Sequence, residues 1–435
     1  MTISLDRRQF LMGSTALAAA GALGGISPAI AADVHLRLYW WGGQARADRT
    51  NAVSDLYAKA NPGFTYDKEF NAFNDYWPKL GTQVAGGNAP DVFQMDYRYI
   101  VEYAKRGAVQ ALDDYIGKSL KLDDFDKDQI EGGRVDGKLY AISLGANSVA
   151  MMVNKDAFAA AGVDLPTRDW SYDDYKSRAE AFNAKSNGMR LLADGSQGGD
   201  PPLENWLRAR GKALYTADGK LAFDADDLVE WFKLWADLRA ANVCVGPDDQ
   251  ALDATAAIDT TMITLGKAAT TFANSNQLIG FQAVNKAELT MINFPRPKAG
   301  VGGGHYRKPS QFWSVNPKSA NLEEAVKYVS FFVNDLDAGL ILGVERGIPC
   351  SKAVRDKLAP TLSAPDQLSL NFVSNLGDLL GKLPPSPPAA AGEVATQLNT
   401  TAQAIAFGQT TPEDAGPAFI KEAQDILDRA AKKAG

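Results

Sequence analysis

The stretch Val34–Phe70, VHLRLYWWGGQARADRTNAVSDLYAKANPGFTYDKEF, decides the fold class. Its first eight residues alternate as a strand does and stop at two tryptophans and two glycines. Ala47, Val53, Leu56 and Tyr57 then recur at helical spacing, and Pro62-Gly63 ends that helix. FTYDKEF (64–70) predicts a second strand and NDYWPKLGTQVAGGN (74–88) a second helix. APDVFQMD (89–96) and YRYIVEYAKRG (97–107) repeat the pair. Strands spaced by helices predict a parallel sheet with right-handed crossovers. Such sheets bind ligands beyond the carboxyl ends of their strands. Trp40, Trp41, Phe70, Asn71, Gln94 and Asp96 all fall at those ends. Neighbours on a strand face opposite ways, so one tryptophan is expected beneath the sheet and the other on the floor of a cleft.

Residues 1–32 read as a signal peptide. Arg7 and Arg8 precede an apolar run from Phe10, and Ala29 and Ala31 supply a small-residue cleavage site. RRQFL is similar to the twin-arginine export signal, although Met12 stands where a lysine is common, which leaves an ordinary Sec signal as the alternative. The two cysteines, Cys244 and Cys350, are far from that site, which argues against lipid anchoring. They are expected as buried thiols, although an oxidising compartment permits a disulfide. The chain of 435 residues carries a formal net charge of −7, which disfavours nucleic acid or an anionic membrane as partner. About 400 residues remain after the leader, more than one core usually holds, so two domains are expected. Further along, the sequence predicts two strands and a helix within 137–166, and a mainly helical stretch over 170–259. In the latter, Trp231 and Trp235 share one helix face as core. Strand, strand and helix follow from Leu289, and two helices follow Ala391.

The order of these segments resembles the sugar-binding extracellular solute-binding proteins of ATP-driven importers (family 1), the group that includes maltose-binding protein. AGGNAPDVFQMD is similar to that family's a-g-x-x-P-D-v stretch. In GRVDGKLYAISLGANSVAMMVNKDAFAAAGVDLPTRDWSYDDY, Gly137, Tyr140, Asn154, Lys155, Phe158, Gly162, Pro166 and Trp170 stand in the family's order. LGKAATTFAN, GGGHYRKPSQFWSVNPKSANLEEAVKYVSFFVND and RGIPCS extend the resemblance over essentially the whole mature chain. It implies an α/β, two-lobed periplasmic binding protein fold (type II), with a ligand cleft between lobes joined by three hinge crossovers. The crossovers are expected near Leu144–Ser148, Glu288–Ile292 and Val344–Pro349. One lobe is then 33–145 with 291–345, and the other 146–290 with 346–435.

Sugars are held by stacking on aromatic rings while planar polar side chains take their hydroxyls. In WWGGQARADR, Trp40 or Trp41 is the candidate platform, Gly42 allows close backbone approach, and Gln44 and Arg46 are polar partners. Asn71, Phe73 and Asp75 lie in a strand-to-helix loop, where Asn74 or Asp75 is also a candidate helix cap. Gln94 and Asp96 follow the third strand, whereas Asp91 reads as structural. Asn147 lies in the first crossover. The second lobe offers Gly195, Ser196, Asn205 and Trp206, then Asn274, Ser275 and Asn276, for all of which ordinary turn chemistry is the competing reading. His305, Tyr306, Arg307 and Gln311 come from a glycine-rich loop, and Arg346 stands beside the last crossover. Arg46, Arg307 and Arg346 keep an acidic sugar open as the ligand, because arginine pairs bidentately with anions.

Catalysis is disfavoured. No HExxH, GxSxG or phosphate-binding loop is present, and the chain has two histidines, His35 and His305. No paired-carboxylate acid/base motif is recognisable, no cofactor is expected, and a metal site would have to be built almost wholly of carboxylates. The expected role is a periplasmic, monomeric binding subunit that traps a sugar and docks on an importer's permease. A receptor presenting its ligand to a membrane sensor is the alternative, and a secreted glycosidase the remote one.

Overall fold

The computed structural model describes residues 34–196, 200–254, 256–385, 387–388 and 390–434. The expected signal peptide lies outside them. The predicted alternation is present as β1 (Val34–Trp41), α1 (Gln44–Ala60), β2 (Phe64–Asn71), α2 (Phe73–Ala85), β3 (Val92–Met95) and α3 (Ile100–Lys105). β1 lies between β2 and β3 and runs parallel to both. Then come α4 (Lys127–Glu131), the pair β4 (Arg134–Val135) and β5 (Lys138–Leu139), and β6 (Ile142–Ser143).

A short strand β7 (Ala146–Asn147) leads into a second half. This contains β8 (Val149–Asn154), α5 (Lys155–Ala161), α6 (Tyr172–Asn183), α7 (Asp200–Ala209), α8 (Ala225–Ala240), α9 (Pro247–Asp253), β9 (Thr270–Asn274), α10 (Leu278–Val284) and β10 (Leu289–Ile292). β8, buried at every position, is flanked by β10 and β9, both antiparallel to it. β11 (Lys308–Pro309), β12 (Phe312–Val315), α11 (Leu322–Asn334), α12 (Leu336–Leu342) and α13 (Lys352–Leu358) return to the first half. α14 (Ala364–Ser374), α15 (Ala391–Ala406) and α16 (Pro412–Ala434) close the second. α6 and α8 start at capping boxes, Ser171 with Asp174 and Asp224 with Asp227, which satisfy otherwise orphaned amides.

The first sheet has the order β2-β1-β3-β12-β6 and is covered on both faces. Leu36, Leu38 and Trp40 pack with Val53 and Tyr57 of α1 and with Tyr328 and Phe332 of α11. Tyr39, Trp41 and Phe93, pointing the other way, pack with Tyr76 and Leu80 of α2 and Ile100 of α3. In the second half Trp231 and Trp235 are fully buried, as the helical spacing predicted, among side chains of α6, α15 and α16. Cys350 belongs to the first of these clusters and Cys244 to the last, and both are free, buried thiols.

Three connections meet between the halves. β7 pairs antiparallel with β11, and Ala146 bridges Ile348 on its other side. The connections differ from expectation in extent. Glu288–Ile292, expected to cross, is largely β10, paired with β8, and Phe294 still packs in the second core. The return therefore comes later, at β11. Residues 346–358 also stay with the first half after Ile348. Ser351 Oγ donates to Asp124 Oδ2 (2.7 Å) and Arg355 Nη1 bonds Asp126 Oδ2 (2.7 Å), so the final passage comes just before α14. There Ser369 Oγ donates to the Ser275 carbonyl (3.1 Å).

Candidate functional site

The carboxyl ends of β2, β1 and β3 lie side by side. β1 turns into α1 through Gly42, whose φ of +149° is a glycine conformation; a Cβ there would stand 2.4 Å from Arg46 Cδ. β2 turns directly into α2, whose N-cap is Ala72, so Asp75 occupies the first helical turn and does not cap it. Phe73 and Trp77 lie one turn apart on α2. Both rings stand 5.5 Å from that of Trp41, and Tyr99, from the loop after β3, lies 4.1 Å from Trp77. Phe73 is 38% exposed and Trp77 and Tyr99 are half-buried, so this aromatic cluster opens onto solvent at the strand ends. The buried Trp77 Nε1 has no partner among the described residues. Around the shelf stand Asp75, exposed, and Asp96, whose Oδ1 accepts the Arg98 N–H (2.8 Å). Asn71 is there too, its Oδ1 accepting the Tyr39 hydroxyl (3.0 Å).

Behind the shelf runs a polar chain. Gln94 Nε2 donates to Gln311 Oε1 (2.7 Å), which also accepts from Arg46 Nη1 (2.8 Å). Arg46 further binds the Trp41 carbonyl (3.1 Å) and Glu345 Oε1 (2.8 Å). On the side of the second half, Tyr306 donates to Glu204 Oε2 (3.1 Å), and the Arg208 guanidinium lies 4.8 Å from the Tyr306 ring centre. Arg208 Nε donates to the Gly304 carbonyl (3.1 Å), and burial depresses its pKa.

Several residues expected at the ligand are buried or engaged within the protein. Trp40 is 0% exposed, stacked on Phe70 and edge-on to Trp313. Trp41 is 8% exposed, so it underlies the shelf and is not an open platform. Gln94 and Gln311 are buried partners of one another. Gln44 turns along its own helix to Asp48 (2.7 Å). Gly195 is a packing glycine, because a Cβ would stand 2.8 Å from Trp235. Ser196 accepts from Gln250 Nε2 (2.7 Å), Trp206 packs 5.6 Å from Trp231, and Asn205 is buried beside Gly304. Asn274 caps a short turn, Ser275 exchanges hydrogen bonds with Ser148, and Asn276 is exposed beside them. Asn147 pairs with Lys308 across the connections, its buried Oδ1 without a partner among the described residues.

His305, 2% exposed, accepts the Phe294 N–H at Nε2 (3.2 Å), and burial pulls its pKa down to about 3. Arg307 grips Asp128 with two hydrogen bonds (2.7 and 2.9 Å). Burial alone would lower its pKa, but the charge of Asp128 raises it. Arg346, 3% exposed, donates to Thr50 Oγ1 (2.8 Å) inside the first half, its pKa lowered to about 9 by burial and by Arg46. Trp77, Tyr99, Glu204 and Arg208 were not among the expected residues. The Phe73–Trp77 spacing of four marks one helix face, a signal present in the sequence, whereas nothing local links Glu204 to Tyr306. Asp91 is structural as expected, accepting the Arg37 N–H (2.8 Å) and the Ser319 hydroxyl (2.5 Å). Among the described residues no helix is long and apolar enough to cross a membrane, and no group of three or more His, Cys, Asp or Glu side chains is placed to hold a metal ion.

The profile of the family described as bacterial extracellular solute-binding protein matches residues 52–361. Among solved structures, an extracellular solute-binding protein of family 1 from Alicyclobacillus acidocaldarius superposes with a TM-score of 0.81 at 32% identity. That match covers 91% of this chain and 99% of the other, and the two share the two-lobed α/β periplasmic binding protein fold. Curated relatives from Brucella are 25% identical over 187 residues, 42% of this chain, and the match spans only 44% of their own length. A diacetylchitobiose binding protein of Streptomyces coelicolor is 32% identical over 139 residues, 32% of each chain.

Proposed function

The chain belongs to the bacterial extracellular solute-binding protein family, and from that premise we propose that it captures an uncharged carbohydrate between its two halves, acting as lobes. The closed form would deliver the sugar to the permease of an ATP-driven importer. The observation that carries the ligand class is the half-exposed Phe73–Trp77–Tyr99 shelf, set among Asn71, Asp75 and Asp96 at the strand ends. Aromatic faces hold the apolar side of a sugar ring, and carboxylates and amides take its hydroxyls. The three arginines that kept an acidic ligand open are engaged within the protein. Arg46 binds Glu345, Arg307 binds Asp128, and Arg346 is buried under α1. An anionic sugar would then face the carboxylates of Asp75 and Asp96 beside the shelf. Relatedness to the Streptomyces diacetylchitobiose binding protein supports the same class.

In this reading the protein works in the periplasm as a monomer, exported by the twin-arginine signal, and does no chemistry on its ligand. The test is a thermal-shift screen of mature protein against neutral and acidic oligosaccharides, followed by calorimetry. A neutral sugar at about 100 times its Kd should add roughly 2.7 kcal/mol of stability. Hits confined to uronic or sulfated sugars would overturn the uncharged class. An empty screen would overturn carbohydrate altogether.

A further inference from the structure

The segment joining α14 to α15 leaves the lobe that holds both helices. Up to Lys382 it follows the second lobe. The His305 N–H donates to the Leu379 carbonyl (3.0 Å), the Gly381 N–H to the His305 carbonyl (2.7 Å), and Arg208 Nη2 to the Lys382 carbonyl. Leu383 then packs against the aromatic cluster of the first lobe, and the Pro384 carbonyl accepts a 2.6 Å hydrogen bond from the buried Tyr97 hydroxyl. By Val394 the chain is back in the core of the second lobe. Gly132 lies under this crossing. A Cβ there would stand 3.4 Å from Leu383 Cδ2 and 2.4 Å from Pro309 Cγ of β11, so strap, hinge strand and first lobe meet without space for a methyl group.

We propose that Leu383–Pro384 is a built-in latch. It docks on Tyr97 and Gly132 only when the lobes are together, and so sets the closed fraction independently of any ligand. The strap is tethered to one lobe on both sides of its contact with the other. Rotation about the β7–β11 pairing must therefore strip one attachment. Among the described residues the second-lobe attachment includes several backbone hydrogen bonds and an arginine, whereas the first-lobe attachment centres on the Tyr97–Pro384 hydrogen bond and Leu383, and it yields first. Prolines 384 and 385 fix φ, which limits the chain entropy lost on docking. Apparent affinity scales with the fraction of competent molecules, so the latch tunes every ligand by a common factor.

The proposal rests on lobe closure and not on the ligand being a sugar. Nitroxide labels at Lys59→Cys and Lys421→Cys, both exposed sites on opposite lobes, read the interlobe distance without ligand. Tyr97→Phe, Leu383→Ala and Gly132→Ala should each shift the distribution toward longer distances. With any ligand found by the screen, Tyr97→Phe should raise Kd about fivefold, by the same factor for each congener and through koff. Unchanged distances in all three variants would overturn the latch. So would losses from Tyr97→Phe that differ between congeners, which would make Tyr97 a ligand contact. If no sugar binds, the distance measurement still decides.

Discussion

Gly145 lies against the Arg346–Gly347 backbone across the connections so closely that it has no space for a side chain. A Cβ on Gly145 would stand 2.8 Å from the Gly347 carbonyl carbon and 2.5 Å from the Arg346 oxygen, and Gly347 itself sits at φ +101°. Gly145→Ala should cost about 1–3 kcal/mol through overpacking, and Gly347→Ala about as much through backbone strain. A Cβ on Gly347 would also stand 3.1 Å from the Ala146 carbonyl oxygen and from Asn147 Oδ1, so both substitutions press the same two segments apart and share that part of their cost. The double variant should therefore lose less than the two single losses together in denaturant unfolding. Strictly additive losses would remove the idea of a shared constraint.

The two tryptophans of β1 and the ring above them should separate stability from binding. Trp40→Ala opens a large hole between α1, α11 and the sheet and should cost about 3–5 kcal/mol. Phe73→Ala removes a ring already 38% exposed, so stability should move by no more than about 1 kcal/mol while sugar affinity falls about tenfold. Calorimetric titration beside urea unfolding reads both. If Phe73→Ala binds as tightly as the parent, the shelf is not the platform.

His305 makes stability depend on pH in a defined direction. Its folded-state pKa of about 3 lies below the usual histidine value because burial disfavours the charged ring. Between those values the unfolded chain binds a proton that the folded protein refuses. The stabilising difference is complete above about pH 6.5 and lost as pH falls, by about 1.4 kcal/mol per unit. His305→Gln lacks this term. The stability gap between parent and variant should therefore shrink by about 2 kcal/mol from pH 7 to pH 5. Parallel curves would mean that the ring titrates normally.

Cys244 and Cys350 lie in the cores of different lobes, and both thiols are held protonated by burial, that of Cys350 with a pKa pushed up to about 12. No oxidised pair should form even in an oxidising compartment. Alkylation in denaturant without reductant should label both cysteines, whereas the folded protein should label neither. An unlabelled denatured chain would reveal a disulfide.

What was legible in the sequence was local. The β1–α1–β2–α2–β3 order, the Trp231–Trp235 face and the role of Asp91 all follow from spacings of a few residues. Phe73 with Trp77 is legible in the same way, as two aromatic residues four apart at the start of α2. The engagement of the arginines is not legible in the sequence, because their partners are remote. Arg46 meets Glu345 and Arg307 meets Asp128, residues 299 and 179 positions away, and a guanidinium offers no local sign of whether it is already engaged. His305 was misplaced for a related reason: its glycine-rich surroundings look solvated, yet the Leu379–Gly381 backbone covers it. Polar residues reveal chemistry by type, but only the long-range fold decides whether that chemistry faces a ligand or the protein itself.

The order β2-β1-β3-β12-β6 sets a timetable for assembly. The first three strands are complete by Met95, yet the neighbour that covers β3 begins at Phe312, and the helix that seals Trp40 starts at Leu322. A chain emerging from the ribosome must thus make and hold its first sheet with one edge open until about three-quarters of it exists. Exposed strand edges invite pairing with other chains, and such non-local closure is slow. The second lobe, whose sheet strands lie wholly between residues 149 and 292, can close its sheet earlier. The half that begins the polypeptide is the one that must wait, and during that wait it needs the protection of chaperones most.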